Sequence, residues 1–180
     1  MVGRDNTGGW QTFVTKFNNS GTQQWSRKLD NCYVESCAVD SAGNVYATGR
    51  VNTSPHGIFV AKWNNSGTLQ WKQQITTNVE GYAFDISIDS NDELLIAGTT
   101  KKLVSGKVSG IVIRLPNDGS ISGTYSHWTI GNCGQTESAH TYSGVSGSQV
   151  STYAFSVTYQ DNTSLTESTP NYTTNLFPLS

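Results

Sequence analysis

Residues 13–25 read FVTKFNNSGTQQW, and residues 59–71, an offset of 46, read FVAKWNNSGTLQW. A weaker third copy, IVIRLPNDGSISG, occupies 111–123. A second motif alternates with the first. It reads VDSAGNVYATG at 39–49 and IDSNDELLIAG at 88–98, an offset of 49. Two interleaved motifs in the same order mark an internal repeat, the first thing to seek in any chain.

Each motif reads as a β-hairpin. In the first copy Phe13, Thr15 and Phe17 alternate onto one face of a strand. Asn18-Asn19-Ser20-Gly21 supplies residues that tolerate positive φ, as hairpin loops require, and a second strand returns through Trp25. In the other motif Asp40-Ser41-Ala42-Gly43-Asn44 is the turn before Val45-Tyr46-Ala47, and Gly49 and Gly98 are expected to end their strands at a bulge or sharp exit. Two hairpins make four antiparallel strands per repeat.

The copied strands are apolar on both sides, with Phe59, Ala61 and Trp63 on one face and Val60 on the other. A sheet with one wet face would alternate with polar residues, so each sheet is expected to lie between neighbours. Four-stranded units of this length, covered on both faces, describe propeller blades, with a stacked β-solenoid as the alternative. The expected fold is all-β: repeated four-stranded antiparallel units, partly β-propeller-like, with an irregular Ser/Thr-rich C-terminal segment. Residues 1–130 divide into a partial blade over 1–29 and blades over 30–78 and 79–129. A closed ring needs at least about four blades. Another chain, or a part of the protein beyond this sequence, is therefore expected to cover the remaining surface.

Residues 131–180 read as an extension in which the repeat stops. Residues 131–151 look like loop. Over 151–160, Tyr153, Phe155, Val157 and Tyr159 alternate onto one face, which predicts one more strand. It is either a closing strand of the same sheets or part of a separate appendage. Residues 160–180 hold too few apolar groups to order alone. They are disordered or lie along a partner, with Phe177 and Leu179 as anchors.

Composition removes several function classes. Charged residues make up 13% of the chain, with a net charge of −2, and the 11 basic residues form no stripe of the kind nucleic-acid binding needs. No apolar run approaches the roughly 18 residues of a membrane span, and residues 1–10 contain no apolar core of a secretory signal. Cys32 and Cys37, five positions apart on one extended segment, point to opposite faces. The three thiols are either all reduced or include one disulfide involving Cys133.

The strings at 13–25, 39–49 and 59–71 resemble the bacterial β-propeller repeat (the SBBP type), in which F-x-A-K-[YW]-x-x-x-G alternates with V-D-x-x-G-N-V-Y-x-x-G. The likeness covers residues 3–125 and implies a propeller-like fold without implying a reaction. A narrower likeness follows the repeats. Ile113-Arg114-Leu115-Pro116-Asn117-Asp118-Gly119-Ser120, then Gly123-Thr124-Tyr125, then a tail containing Ser164-Leu165-Thr166 is similar to large structural proteins of marine tailed phages, especially cyanophages.

Constellations for chemistry are thin. Cys133, Glu137 and His140 would form a nucleophile, acid and base only if something preorganised them, so no catalytic residue is expected. The turns at 40–44 and 89–93 are oxygen-rich enough to suggest calcium, but Asp and Asn also serve such turns as backbone caps. No cofactor or metal is expected. Asn-x-Ser/Thr sequons at Asn18, Asn52, Asn64, Asn162 and Asn171 read as composition. Trp25 and Trp71 recur at one repeat position and are expected in the core, whereas Trp10 and Trp128 break the pattern and are candidates for stacking on a surface glycan.

The expected function is a non-catalytic virion structural protein of tail-fibre, appendage or surface type. It would act in assembly with sister subunits or other virion proteins, and in attachment to a host-surface glycan. The rival is a bacterial secreted or cell-surface propeller that binds a ligand.

Overall fold

The structure is a computed structural model and describes residues 2–5, 11–53, 56–77, 79–101, 106–125 and 128–139. They form β1 (Val2–Asp5), β2 (Gln11–Phe17), β3 (Gln23–Asp30), β4 (Cys32–Val39), β5 (Val45–Val51), β6 (Ile58–Trp63), β7 (Leu69–Thr77), β8 (Glu80–Ile88), β9 (Leu94–Lys101), β10 (Val108–Leu115), β11 (Gly123–Tyr125), β12 (Trp128–Asn132) and β13 (Glu137–Ala139). The chain is all-β, in three antiparallel sheets. The first runs β1-β2-β3-β13, the second β11-β12-β7-β6-β5-β4 and the third β10-β9-β8.

Local chemistry accounts for the hairpins. The Asn18 side-chain oxygen accepts from the backbone N–H of Ser20 at 3.1 Å and of Thr22 at 2.8 Å. Asn64 repeats both bonds to Ser66 and Thr68. Each loop then turns through a glycine in the left-handed region, Gly21 at φ 78°, Gly67 at 81° and Gly119 at 72°, where a side chain would be strained. In the other motif Asp40 and Asp89 accept from the N–H groups of Asn44 and Glu93. The left-handed position falls on Gly43 and then on Asp92, at φ 81° and 60°.

The second sheet is buried on both faces. On one side Val34, Val45, Ala47, Phe59, Ala61 and Trp63 pack with Val14, Trp25 and Leu29 of the first sheet. On the other, Tyr46, Ile58, Val60 and Ile75 pack with Ala83, Ile86, Leu94, Ile96 and Leu115 of the third. The doubly apolar strands noted in the sequence thus occupy the middle of a stack, where each fully buried Val, Ile or Phe contributes about 1.5–3 kcal/mol.

Three local expectations are revised. Gly49 and Gly98 do not end their strands. β5 runs on to Val51 and β9 to Lys101, and the bulge lies on the facing strand, where register shifts between Val34 and Ser36 and between Ala83 and Asp85. A Cβ on Gly49 would stand 1.8 Å from the Tyr33 carbonyl oxygen, and one on Gly98 2.1 Å from that of Tyr82. The glycines are there so that a bulged backbone can approach.

The third unit does not supply four strands to one sheet. It gives β8, β9 and β10, and β11 joins the second sheet through β12. At the place of Trp25 and Trp71 this copy has Gly123, at φ 116°, and the strand that a tryptophan would anchor leaves its sheet. Nor are residues 131–151 loop throughout. β12 extends to Asn132 and β13 covers Glu137–Ala139; β12 lies between β11 and β7 and β13 at the edge beside β3, both held by backbone pairing, which needs no apolar alternation. The strand expected over 151–160 lies outside the described residues, as do the tail anchors Phe177 and Leu179.

Candidate assembly surface

Neighbouring sheets are joined by a contact that occurs twice. Trp25 projects from β3 onto the β6–β7 turn of the next sheet. Its Nε1–H donates to the Asn65 carbonyl at 3.0 Å, its ring lies 6.5 Å from that of Trp63, and the Cβ that Gly67 lacks would meet the ring at 2.6 Å. Two residues on, Arg27 Nε–H donates to the Gly67 carbonyl at 2.7 Å. One repeat later Trp71 donates to the Asn117 carbonyl at 3.1 Å and covers Gly119, where a Cβ would meet its ring at 2.7 Å, while Gln73 donates to the Gly119 carbonyl at 2.9 Å. An indole needs a partner for its N–H when buried, and the turn carbonyl supplies it.

The lysine of each copy reinforces this latch. Lys16 donates to the Gly43 carbonyl at 2.7 Å and to the Asn65 side chain. Lys62 donates to the Asn117 carbonyl at 3.1 Å and stands 5.1 Å from the centre of the Tyr46 ring. In the third sheet the equivalent residue, Arg114, turns back onto the β8–β9 turn of its own sheet, to Asp89 at 2.8 Å and to Glu93. Arg50 adds a further link, its guanidinium 4.4 Å from the Tyr33 ring and 5.2 Å from the Tyr82 ring.

The segment from β12 to β13 then ties the first two sheets along one edge. β12 pairs with β7 and β13 with β3. Between them Cys133 N–H donates to the Lys72 carbonyl at 3.3 Å, Lys72 donates to the Gln135 carbonyl, and Asp30 N–H donates to the Thr136 carbonyl at 3.1 Å. Glu137, considered above for acid–base work, accepts from the Trp63 indole at 3.1 Å and pairs with Arg27 at 3.3 Å. Cys133 is buried against Cys32. The Cys32 thiol donates to the Cys133 sulfur, which lowers Cys133 to about 7, while the same bond and burial push Cys32 up. All three cysteines are free thiols.

The structure distributes the other sequence candidates as follows. Trp128 opens β12 half-buried, packed against the second core cluster. Trp10 and His140 lie outside the described residues. In the oxygen-rich turns the carboxylates of Asp40, Asp89 and Glu93 are engaged. Asp40 accepts from Asn44 at 2.7 Å through its side chain and from the Tyr46 hydroxyl at 3.0 Å. These bonds outweigh the effect of burial and hold its carboxyl below the ordinary value. Among the described residues no group of three His, Cys, Asp or Glu side chains converges on one point, and no helix is long and apolar enough to cross a membrane.

Two surfaces of the described residues are left open. The third sheet exposes Phe84, Val108 and Val112, the last at 76%. Val14 and Val60, at the same repeat position as Val112, are fully buried. At the turn end of the first two sheets, a cleft of about 570 Å³ is lined by Lys16, Asn18, Gln24, Asn44 and Asn64–Ser66. Its walls are amide and hydroxyl groups with one cation. The sequence marked Trp25 and Trp71 as core. The latch itself was legible only by noticing that the tryptophan and the turn glycine recur together. No known family model matches the chain, and no curated protein matches it.

Proposed function

We propose that the chain is a non-catalytic virion structural protein, of tail-fibre, appendage or surface type, whose β-propeller-like repeats act in assembly. The observation that carries this reading is the exposed apolar face of the third sheet, Val112 above all, at a position that a neighbouring sheet covers in the two earlier copies. Exposed apolar area of this kind marks a surface made for a partner. The low charge and the resemblance to structural proteins of marine tailed phages point the same way. The partners are sister subunits or other virion proteins, and the chain resides in the virion.

The test is fractionation of infectious particles on a density gradient, followed by mass spectrometry. The chain is expected to band with the particles at a fixed ratio to the capsid protein. Recovery in free protein or host-envelope fractions alone would overturn the reading.

A second reading, a bacterial secreted or cell-surface propeller that binds a ligand, draws on the cleft around Lys16 and Asn65. Its carboxamides and single ammonium suit the hydroxyls of a neutral or anionic glycan. Glycan-array binding that Lys16→Ala abolishes would favour it.

A further inference from the structure

The tryptophan latch has a receiving half and a donating half, and the two are not equally represented along the chain. Receivers are the turns that place a carbonyl and a glycine under the indole: Asn65 with Gly67, and Asn117 with Gly119. The first sheet carries a third receiver in Asn19 and Gly21. Gly21 has φ 78°, against 81° and 72° at the two occupied turns, and Asn18 organises the loop through the same two bonds as Asn64. Yet nothing among the described residues comes within 4 Å of a Cβ built on Gly21. Residues 18–22 are all exposed. Phe17 is 40% exposed, whereas its counterparts Trp63 and Leu115 are at 0% and 3%. Among the described residues no donor reaches the Asn19 carbonyl.

Donors are scarcer. Trp25 and Trp71 are both engaged within the chain, and the third copy has Gly123 in their place. Two copies of this protein joined by Trp25 or Trp71 would therefore have to open a latch of their own.

We infer that the Phe17–Thr22 turn is an empty receiver for the edge strand of a different polypeptide, one that carries an exposed tryptophan and, two residues on, an arginine or glutamine. The indole would lie over Gly21 and against Phe17 and donate to the Asn19 carbonyl, and the second side chain would donate to the Gly21 carbonyl, as Trp25 with Arg27 and Trp71 with Gln73 do at the occupied turns. The inference rests on, and deepens, the reading of the chain as an assembly module. It gives that assembly a direction, because the chain can accept at its first sheet and cannot donate from its third by this contact.

The probe is a capped peptide of residues 69–77, LQWKQQITT, titrated into the full chain with amide shifts recorded by NMR. Saturable binding is expected, with shifts centred on Phe17–Thr22, weakened at least 10-fold when the peptide tryptophan is alanine. Gly21→Asn should weaken it equally. Asparagine tolerates the left-handed turn but fills the place of the ring. Phe17→Gln, an exposed change that leaves the turn intact, is the second variant. Absence of saturable binding to the parent chain would overturn the inference. So would undiminished binding by both variants, or shifts centred on Asn65–Gly67 or Asn117–Gly119. Dimerisation in sedimentation that Gly21→Asn abolishes would overturn the choice of a different polypeptide. The titration contains no virion, so its failure leaves the particle fractionation to stand or fall separately.

Discussion

The indole of Trp25 lies on Gly67 so closely that a Cβ there would stand 2.6 Å from the ring. Gly67→Ala therefore meets two penalties, a strained positive φ of about 1–2 kcal/mol and overpacking against an indole held by its own hydrogen bond, about 1–3 kcal/mol. Gly21→Ala meets only the first. Urea denaturation of the two variants should separate the two effects, with Gly67→Ala losing about 2–5 kcal/mol and Gly21→Ala about 1–2 kcal/mol. Equal losses would mean that the ring does not press on the turn.

Gly49 poses a harder constraint, because the obstacle is backbone. The Tyr33 carbonyl would be 1.8 Å from a Cβ at Gly49, and the Tyr82 carbonyl 2.1 Å from one at Gly98. Neither bulge can relax without breaking the ladder between β4 and β5 or between β8 and β9. Alanine at either site is expected to cost about 3 kcal/mol or more. The Gly49 variant should suffer more, since its sheet is packed on both faces. Thermal denaturation would rank them.

These glycines show where the sequence is readable and where it is not. Alternation of apolar residues identified β2, the repeat carried that reading to its copy β6, and the turn at 40–44 marked β5 after it. The turns were legible because Asn, Asp and Gly have specific backbone roles. The bulge opposite Gly49 was misplaced onto its own strand, because a glycine announces a close approach without saying which chain approaches. β12 and β13 were invisible for a different reason. Short strands held through backbone pairing carry no required side-chain period, and Cys133, Gln135 and Glu137 find their roles only against residues 60 and more positions away.

Glu137 joins β13 to Trp63 and Arg27, whose side chain is 22% exposed against 18% for Glu137. Glu137→Ala leaves the Trp63 N–H without its acceptor and takes the carboxylate from Arg27, which keeps its bonds to the Gly67 and Ser26 carbonyls, and should destabilise by about 1–3 kcal/mol. Glu137→Gln can still accept from the indole and should cost about half of that. Hydrogen exchange provides the local readout, with amides of β13 and the facing part of β3 losing protection first in the alanine variant. Unchanged exchange in both would show that the brace holds through its backbone alone.

Cys133 should titrate near 7, well below the ordinary thiol value of 9.0. Its folded pKa is lowered, so the stability it contributes is fully present above the unfolded value and is lost as pH falls through about 7. Cys32 acts oppositely. It keeps its proton in the fold and would release it on unfolding near 9, so folding is progressively disfavoured above that pH. The pair together predicts stability rising between pH 7 and 9 and falling beyond. Thiolate ultraviolet absorbance in the native chain should show one group titrating near 7, and Cys32→Ala, which removes the donor, should move it upward. A Cys133 midpoint unaffected by that change would show that the two sulfurs do not share a hydrogen bond.

Val60 and Val112 hold the same place in successive repeats, yet one is fully buried and the other 76% exposed. Threonine is nearly isosteric with valine, so substitution at the two sites compares burial with little change in shape. At Val60 the hydroxyl enters the apolar interface of the second and third sheets, where an unpaired polar group costs about 1–3 kcal/mol. At Val112 it faces water, and the change should stay within about 0.5 kcal/mol. Chemical denaturation of the isolated chain decides between these outcomes. Loss of stability at Val112 comparable to that at Val60 would mean the face is already covered in the isolated chain, and the argument for a partner there would fail.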